Sequence, residues 1–299
     1  MAYTEIKEKA GNKYYYRVKS IREGKKVKKE RIYLGVNLNK EELKIKEKTA
    51  DKELVVFENI FSKEELKFLE KIKGKFSKEP KATLENRYES FVSLFTYDST
   101  TIEGNTLTLQ ETTRLLFEGV TPNKPLREIY EVLNHKKAFD YVLGYKGDIS
   151  KEFICDLHKL VVANTLRQEL ISQTGRYRKV QVYIRGVRWF PPKPFEVSQK
   201  MASLLAWYTK NKSKIHPLIL ASYFHTEFEK IHPFVDGNGR VGRLLINFIL
   251  HKNKYPMINI PNKIRHKYYD ALERAQIKRN IKPFAKLLLS LYKKEKIWF

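Results

Sequence analysis

The twelve residues His232-Pro233-Phe234-Val235-Asp236-Gly237-Asn238-Gly239-Arg240-Val241-Gly242-Arg243 hold an imidazole, a carboxylate, glycines on both sides of an amide, and two guanidinium groups. Gly237 and Gly239 can take positive φ without steric cost, so the backbone around Asn238 can curl and aim successive N–H groups into one concavity. The apolar run Leu244 to Leu250 follows at helical spacing and puts this turn at a helix N-terminus, where unpaired N–H groups and the macrodipole favour anions. Arg240 and Arg243, three apart, can reach the same anion. Asp236 beside phosphate calls for a bridging hard cation, and Mg²⁺ is the natural choice. His232, with an ordinary pKa of about 6.5, is then a candidate base next to the reacting phosphorus. The chemistry predicted is that of a magnesium polyphosphate.

At these positions the chain resembles the Fic family, whose signature reads His-x-Phe-x-Asp/Glu-Gly-Asn-Gly-Arg-x-x-Arg. All eight specified positions are matched, at His232, Phe234, Asp236, Gly237, Asn238, Gly239, Arg240 and Arg243. Upstream, Ser99-Thr100-Thr101-Ile102-Glu103-Gly104 resembles the Ser/Thr-x-x-x-Glu-Gly/Asn pattern of self-inhibited members. The resemblance implies transfer of AMP from ATP to a Ser, Thr or Tyr hydroxyl of a protein target. His232 would act as base, Asp236 would hold Mg²⁺, and Gly237, Asn238, Gly239 and Arg240 would meet developing charge. Arg243 would bind the γ-phosphate unless Glu103, with Ser99 on the same helix, holds it. Without the signature, Glu103 would merely precede a helix C-cap glycine.

The same resemblance extends to two further segments. Residues 175–192 alternate like strands around a glycine and stop at Pro191-Pro192, which predicts a β-hairpin in a helical domain. It resembles the Fic flap, on which residues 182–190 would dock the target backbone, with Ile184, Arg185, Gly186 and Val187 near the nucleotide. Tyr268, Tyr269 and Gln276 resemble the wall beside adenine, although core packing explains one tyrosine equally well. Within the family, another nucleotide, removal of AMP, self-modification and a homodimer remain open alternatives.

The rest of the chain must position this equipment. Helices are expected from about Leu84, from Thr108 to Phe117, from Arg127 to Tyr145, after a cap at Ser150, from Phe195 to Lys210, from His216 to Ile231 and from Asn262 to Gln276. The fold class is therefore mainly α, a Fic-type bundle over residues 60–299 with an inhibitory helix at about 84–104 and the flap hairpin. Glu131, Asn134, His135 and His158 read as core or hydrogen-bonded helix residues. His225, Glu229 and His232, four and three apart, have the spacing of a metal triad, but a core role accounts for His225 and Glu229 without zinc.

Residues 1–38 differ in character. Lys13 to Lys19 and Lys26 to Leu34 are aromatic and β-branched around a Glu23-Gly24 turn signal, so a small basic β-hairpin appendage is expected, with 39–59 as a connector. Residues 1–35 hold eleven Lys and Arg against four Glu. Such strands can form a nucleic-acid face, or can be a packed meander with solvated lysines.

Composition agrees with one sizeable core plus an appendage: 299 residues, 42% hydrophobic. With 59 Lys and Arg against 34 Asp and Glu the net charge is +25, which favours polyanionic partners. No apolar run approaches the roughly 18 residues of a membrane span, and the N-terminus lacks a signal-peptide layout, so no membrane partner and a cytoplasmic location are expected. The single Cys155 allows no internal disulfide and reads as a core thiol.

Overall fold

The structure, a computed structural model, describes residues 2–23, 26–53, 57, 59–184, 187 and 189–294. The chain divides into two compact units, Met1–Glu58 and Asn59–Phe299.

The first unit is a three-stranded antiparallel sheet of order β1-β2-β3, with β1 at Ala2–Lys9, β2 at Asn12–Glu23 and β3 at Lys26–Val36. The predicted hairpin corresponds to β2 and β3. The added strand β1 alternates Tyr3, Glu5 and Lys7 with Thr4, Ile6 and Glu8, and joins β2 through Ala10-Gly11, both at positive φ. That is the backbone a two-residue hairpin turn requires, so the dipeptide was a strand signal in plain view. Lys40–Glu53, expected as connector, is helix α1 and belongs to the same unit. Its Asp51 accepts hydrogen bonds from Arg17 of β2 at 2.7 and 2.8 Å, and Glu47 lies 3.2 Å from the same guanidinium.

The second unit is helical. It comprises α2 at Lys63–Phe76, α3 at Leu84–Thr101, α4 at Leu109–Phe117, α5 at Leu126–Gly144, α6 at Lys151–Val161, α7 at Pro194–Asn211, α8 at Pro217–Ile231, α9 at Asn238–Lys252, α10 at Arg265–Lys278 and α11 at Lys282–Lys294. Short polar side chains start several of them: Ser62 and Thr108 form capping boxes with Glu65 and Glu111, and Ser150 accepts from the Phe153 N–H. Helix α9 is the hub, with Val241, Leu244, Leu245, Ile246, Phe248 and Ile249 all buried. A helix apolar on every side has to lie in the middle of the bundle. Gly242 lets α8 approach it, since a Cβ there would stand 2.6 Å from Glu229 Oε1 and 2.7 Å from His225 Nδ1.

Between α6 and α7, the described residues of 175–192, where a hairpin was expected, form no strand. Pro191 and Pro192 have no N–H to donate to a ladder. The two arms are joined by side chains instead. Arg178 donates to the carbonyls of Val180 at 3.0 Å and Pro192 at 2.6 Å, and Gln181 donates to that of Pro191 at 3.1 Å.

Candidate active site

The loop between α8 and α9 carries the signature. Helix α8 ends because His232 takes φ 50° and ψ 63°, a left-handed conformation that turns the chain back, while its N–H still bonds Phe228 O at 2.8 Å. For a non-glycine residue this costs on the order of 1 kcal/mol or more, and it holds only because the surroundings fix it. Arg178 provides part of that fixing: its Nε donates to His232 O at 2.8 Å and its backbone N–H to Pro233 O at 2.8 Å. Asn238 closes the loop by accepting from Phe234 N–H and donating to Phe234 O, both at 2.9 Å. Gly237, at φ 76°, caps α9 where a Cβ would meet Val162 at 2.8 Å.

His158 supports the loop from below. Its ring stacks on Phe234 with centroids 3.8 Å apart and planes 2° from parallel. Because Nδ1 accepts from Gly175 N–H at 3.0 Å, the proton sits on Nε2, which donates to Asp236 O at 3.2 Å. The histidine read as a core residue therefore shapes the loop directly.

The first N–H groups of α9, at Asn238, Gly239 and Arg240, have no intrahelical acceptor. Arg240 and Arg243 flank them, each with a side chain only 2% exposed. Arg240 Nε and Nη1 and Arg243 Nη1 are buried without a hydrogen bond. Buried guanidinium groups with unused donors beside a helix N-terminus make a binding site for a multiply charged anion.

Glu103 occupies the mouth of that site. Its Oε1 accepts from Arg243 Nη2 at 2.7 Å and would lie 2.1 Å from a Cβ on Gly239, so the carboxylate rests on the helix N-terminus itself. Ser99 completes the contact by accepting from Arg243 through its hydroxyl at 2.9 Å and its carbonyl at 2.7 Å. Burial opposes the Arg243 charge, but the field of Glu103 and its hydrogen bond outweigh it and raise the guanidinium above its ordinary value. The turn after α3 is closed by hydrogen bonds: Glu103 and Gly104 N–H groups bond back to Thr100 and Thr101 at 3.0 Å, and Asp98 anchors the helix to Asn259 and Asn262.

His232 has Nδ1 3.3 Å from Glu229 O and 3.8 Å from its carboxyl Oε2. Donation from Nδ1 leaves Nε2 to accept a proton. Burial pushes the imidazole down to about 4, so the ring is neutral at neutral pH. Glu229 is buried, and that burial, aided by Glu103, raises its carboxyl to about 8.

Asp236 faces two cations, Arg127 of α5 at 3.2 Å and Arg240 at 3.4 Å, and Glu131 of α5 reaches the same guanidinium groups at 3.3 and 3.5 Å. Among the described residues no cluster of three His, Cys, Asp or Glu side chains could hold a metal. A lone, third-exposed carboxylate beside an anion site is the donor set of a Mg²⁺ ion held mainly by phosphate and water, so these residues fit that ion.

Sequence reasoning thus brought together His232, Asp236, Arg240, Arg243, Ser99 and Glu103, and the structure places them in one site. The Asn238 side chain spends its polar atoms on Phe234, so its offering to a ligand is its backbone N–H. Of the three residues expected beside the base, Tyr268 is buried with its hydroxyl 2.8 Å from His225 Nε2, and Gln276 is buried against Thr226 O of α8; Tyr269 alone shows a face, 43% exposed. Ile184 and Val187 are half-buried, while Arg185 and Gly186 lie outside the described residues. Arg127, Glu131 and Arg178 were missed as site residues; Glu131 alone carried a signal, in its run with Asn134 and His135.

A helical bundle whose central helix presents such a loop has the architecture of Fic proteins. Residues 148–250 match the profile of the Fic/DOC family, and the chain carries a Fic/DOC domain. Relatives called protein adenylyltransferase Fic are 35% identical over 201 residues in Drosophila persimilis and 36% in Drosophila melanogaster. Each alignment covers 64% of this chain, which spans only 37% and 39% of those relatives' lengths. Among solved structures, a Fic domain containing signaling protein from Bacteroides thetaiotaomicron superposes with a TM-score of 0.69 at 27% identity, covering 76% of this chain and 93% of that one. Fic-1 from C. elegans gives 0.68 at 26%, covering 85% and 75%.

Proposed function

We propose that this protein is an adenylyltransferase that moves AMP from ATP to a Ser, Thr or Tyr hydroxyl of a protein, and that Glu103 holds it off. The observation that carries this reading is the Glu103 carboxylate seated between Arg243 and Gly239, in the position where the site would take the end of a polyphosphate. The names of the Drosophila relatives support the choice of AMP as the group transferred.

The target oxygen attacks the α-phosphorus, the bond from that phosphorus to the α–β bridging oxygen breaks, and pyrophosphate leaves with the electron pair. His232 Nε2 takes the hydroxyl proton, held in place by Nδ1 on Glu229 O and by the left-handed turn. The N–H groups of Asn238 and Gly239 and the Arg240 guanidinium stabilise charge that develops on the phosphoryl oxygens. Mg²⁺ at Asp236 would neutralise charge shared by the α- and β-phosphates. Arg243 receives the γ-phosphate once Glu103 leaves. The target polypeptide docks along 182–190, where Tyr183 and Phe190 stand 75% exposed, by strand addition to this segment. No helix of the described residues is long and apolar enough to cross a membrane, and the reading places the protein in the cytoplasm.

Self-labelling from ATP carrying label in its α-phosphate tests the proposal. Glu103→Gly is expected to incorporate at least tenfold more label than wild type, and His232→Ala added to it to incorporate none. Equal labelling in wild type and Glu103→Gly would remove the inhibitory role, and no label from ATP, GTP or UTP in either would remove the transferase.

A further inference from the structure

The first unit has a sidedness that the bundle's chemistry does not use. Strand pairing puts Thr4 opposite Arg17, and both turn to α1, where Arg17 meets Asp51 and Glu47 and Thr4 bonds Glu47. The residues between them point the other way. Tyr3 pairs with Val18 and Val18 with Arg31, while Glu5 pairs with Tyr16 and Tyr16 with Tyr33. Among the described residues no helix of the unit packs on this second face, although Val18 at its centre is buried.

Ring and charge contacts confirm that these side chains share it. The Tyr33 ring lies 5.3 Å from Tyr16 and 6.4 Å from Tyr14. Lys7 Nζ sits 5.6 Å from the Tyr16 centroid, and Lys29 Nζ 6.0 Å from that of Tyr3. Tyr3 and Tyr33 are 41% and 52% exposed. Glu5, the acid placed here by the pairing, is neutralised by Arg31 at 2.9 Å across the central strand. Acidic partners for the sheet's cations are concentrated on the α1 side, so a row of rings edged with cations is left open.

Cations alone would suit any polyanion. Tyrosine rings set among them on one face of a sheet suit a strand whose bases are unpaired, since rings can stack on bases while lysines meet phosphates. A closed duplex offers the phosphates but hides the faces of its bases. We propose that the outer face of the β1-β2-β3 sheet binds single-stranded nucleic acid, with Tyr3, Tyr16 and Tyr33 stacking on bases and Lys7 and Lys29 on the backbone. This surface is separate from the nucleotide site of the helical unit and does not depend on the reaction proposed for it.

The remainder of the chain is also basic, so retention on nucleic acid by itself decides nothing; dependence on the rings does. Fluorescence anisotropy of the full chain with labelled 20-nucleotide oligo(dT) and oligo(U) is the measurement, repeated across a salt series. Tyr3→Ala with Tyr33→Ala, both exposed positions on the two outer strands, is expected to weaken binding at least tenfold. Lys7→Ala with Lys29→Ala is expected to weaken it and to reduce the salt slope by about 1.4, two phosphate contacts at about 0.7 each. The charge-matched pair Lys44→Ala with Lys48→Ala, exposed on α1, is expected to leave both unchanged. A thermal melt of each variant like that of wild type shows that the fold is kept. Equal affinity in the tyrosine variant and wild type would overturn the proposal, as would equal binding of a 20-base-pair duplex with no effect of the tyrosine changes.

Discussion

The signature loop holds an ion pair at each end, and the two are built differently. At one end Arg243, 2% exposed, meets Glu103 at 2.7 Å with Ser99 taking two more of its bonds. At the other, Arg127, 56% exposed, meets Asp236 at 3.2 Å. Glu103 and Asp236 are equally exposed, at 35%, so the arginines make the difference: an exposed pair contributes about 0–1 kcal/mol and is screened by salt, whereas taking the partner from a buried guanidinium costs more, up to the about 3–5 kcal/mol of a fully buried pair, because a desolvated charge is left alone. On the proposed function the difference says where control would reside: the Arg243 end would have to be unlocked, while the Asp236 end would be free to trade one cation for another.

The largest expected effect follows from the buried end. Glu103→Gly leaves Arg243 without its carboxylate, so the protein without nucleotide should melt several degrees lower than wild type. The same vacancy admits a phosphate, so ATP should raise the melting temperature of Glu103→Gly far more than that of wild type. Adding Arg243→Ala should cancel the ATP response. Scanning calorimetry with and without ATP reads all three, and identical ATP responses in wild type and Glu103→Gly would place the polyphosphate elsewhere.

A smaller effect, on the order of a few kcal/mol, separates the two ends by pH. Glu229 lies behind the buried end, and burial, with Glu103, raises its carboxyl to about 8. Its contribution to stability is fully present below the unfolded value near 4.5 and is lost as pH rises through about 8. The buried histidines work in the opposite sense: His232, His158 and His216 are pushed down to about 4 and His225 to about 3 by burial. Their contribution is present above 6.5 and is lost as pH falls through those values. Glu229→Gln should therefore gain stability relative to wild type as pH is raised from 5 to 9, with the acid limb unchanged. A difference in melting temperature that does not vary with pH would show that Glu229 is ionised throughout.

The buried end was the more legible of the two in the sequence. His232 to Arg243 declare themselves because glycines, an acid and arginines at fixed spacing permit few other arrangements, and the apolar helix behind them has a clear period. Glu103 was legible from a short pattern that gains meaning only beside that signature. Arg127 and Arg178 left no such mark: each is one arginine among many in a chain of 59 Lys and Arg, brought in by tertiary packing. The flap misled because alternation of apolar and polar residues measures burial rather than pairing, and Pro191 with Pro192 removed the donors a ladder needs. A ring beside a nucleotide and a ring in a core have the same spacing, so the buried bond of Tyr268 to His225 could not be read from sequence. In the first unit, β1 is polar and short of β-branched residues, and the Ala10-Gly11 turn is its clearest mark in the sequence.

The smallest expected effect belongs to the exposed end. Arg127 holds Asp236 by a contact weak enough for Mg²⁺ to displace, yet displacement still costs whatever the pair contributes. Removing that competition with Arg127→Gln should lower the Mg²⁺ concentration that gives half of the ATP-induced stabilisation of Glu103→Gly, by about two- to fivefold for a pair worth about 0.5–1 kcal/mol. The gain should fade as salt is raised, because both Arg127 and Asp236 are reached by solvent. Thermal shift at fixed ATP across a Mg²⁺ series measures it without recourse to turnover. A need for more Mg²⁺ rather than less would mean that Arg127 turns to the phosphates once Asp236 is released. The exposed end would then be part of the nucleotide's grip, and the contrast between a locked end and an exchangeable one would fail.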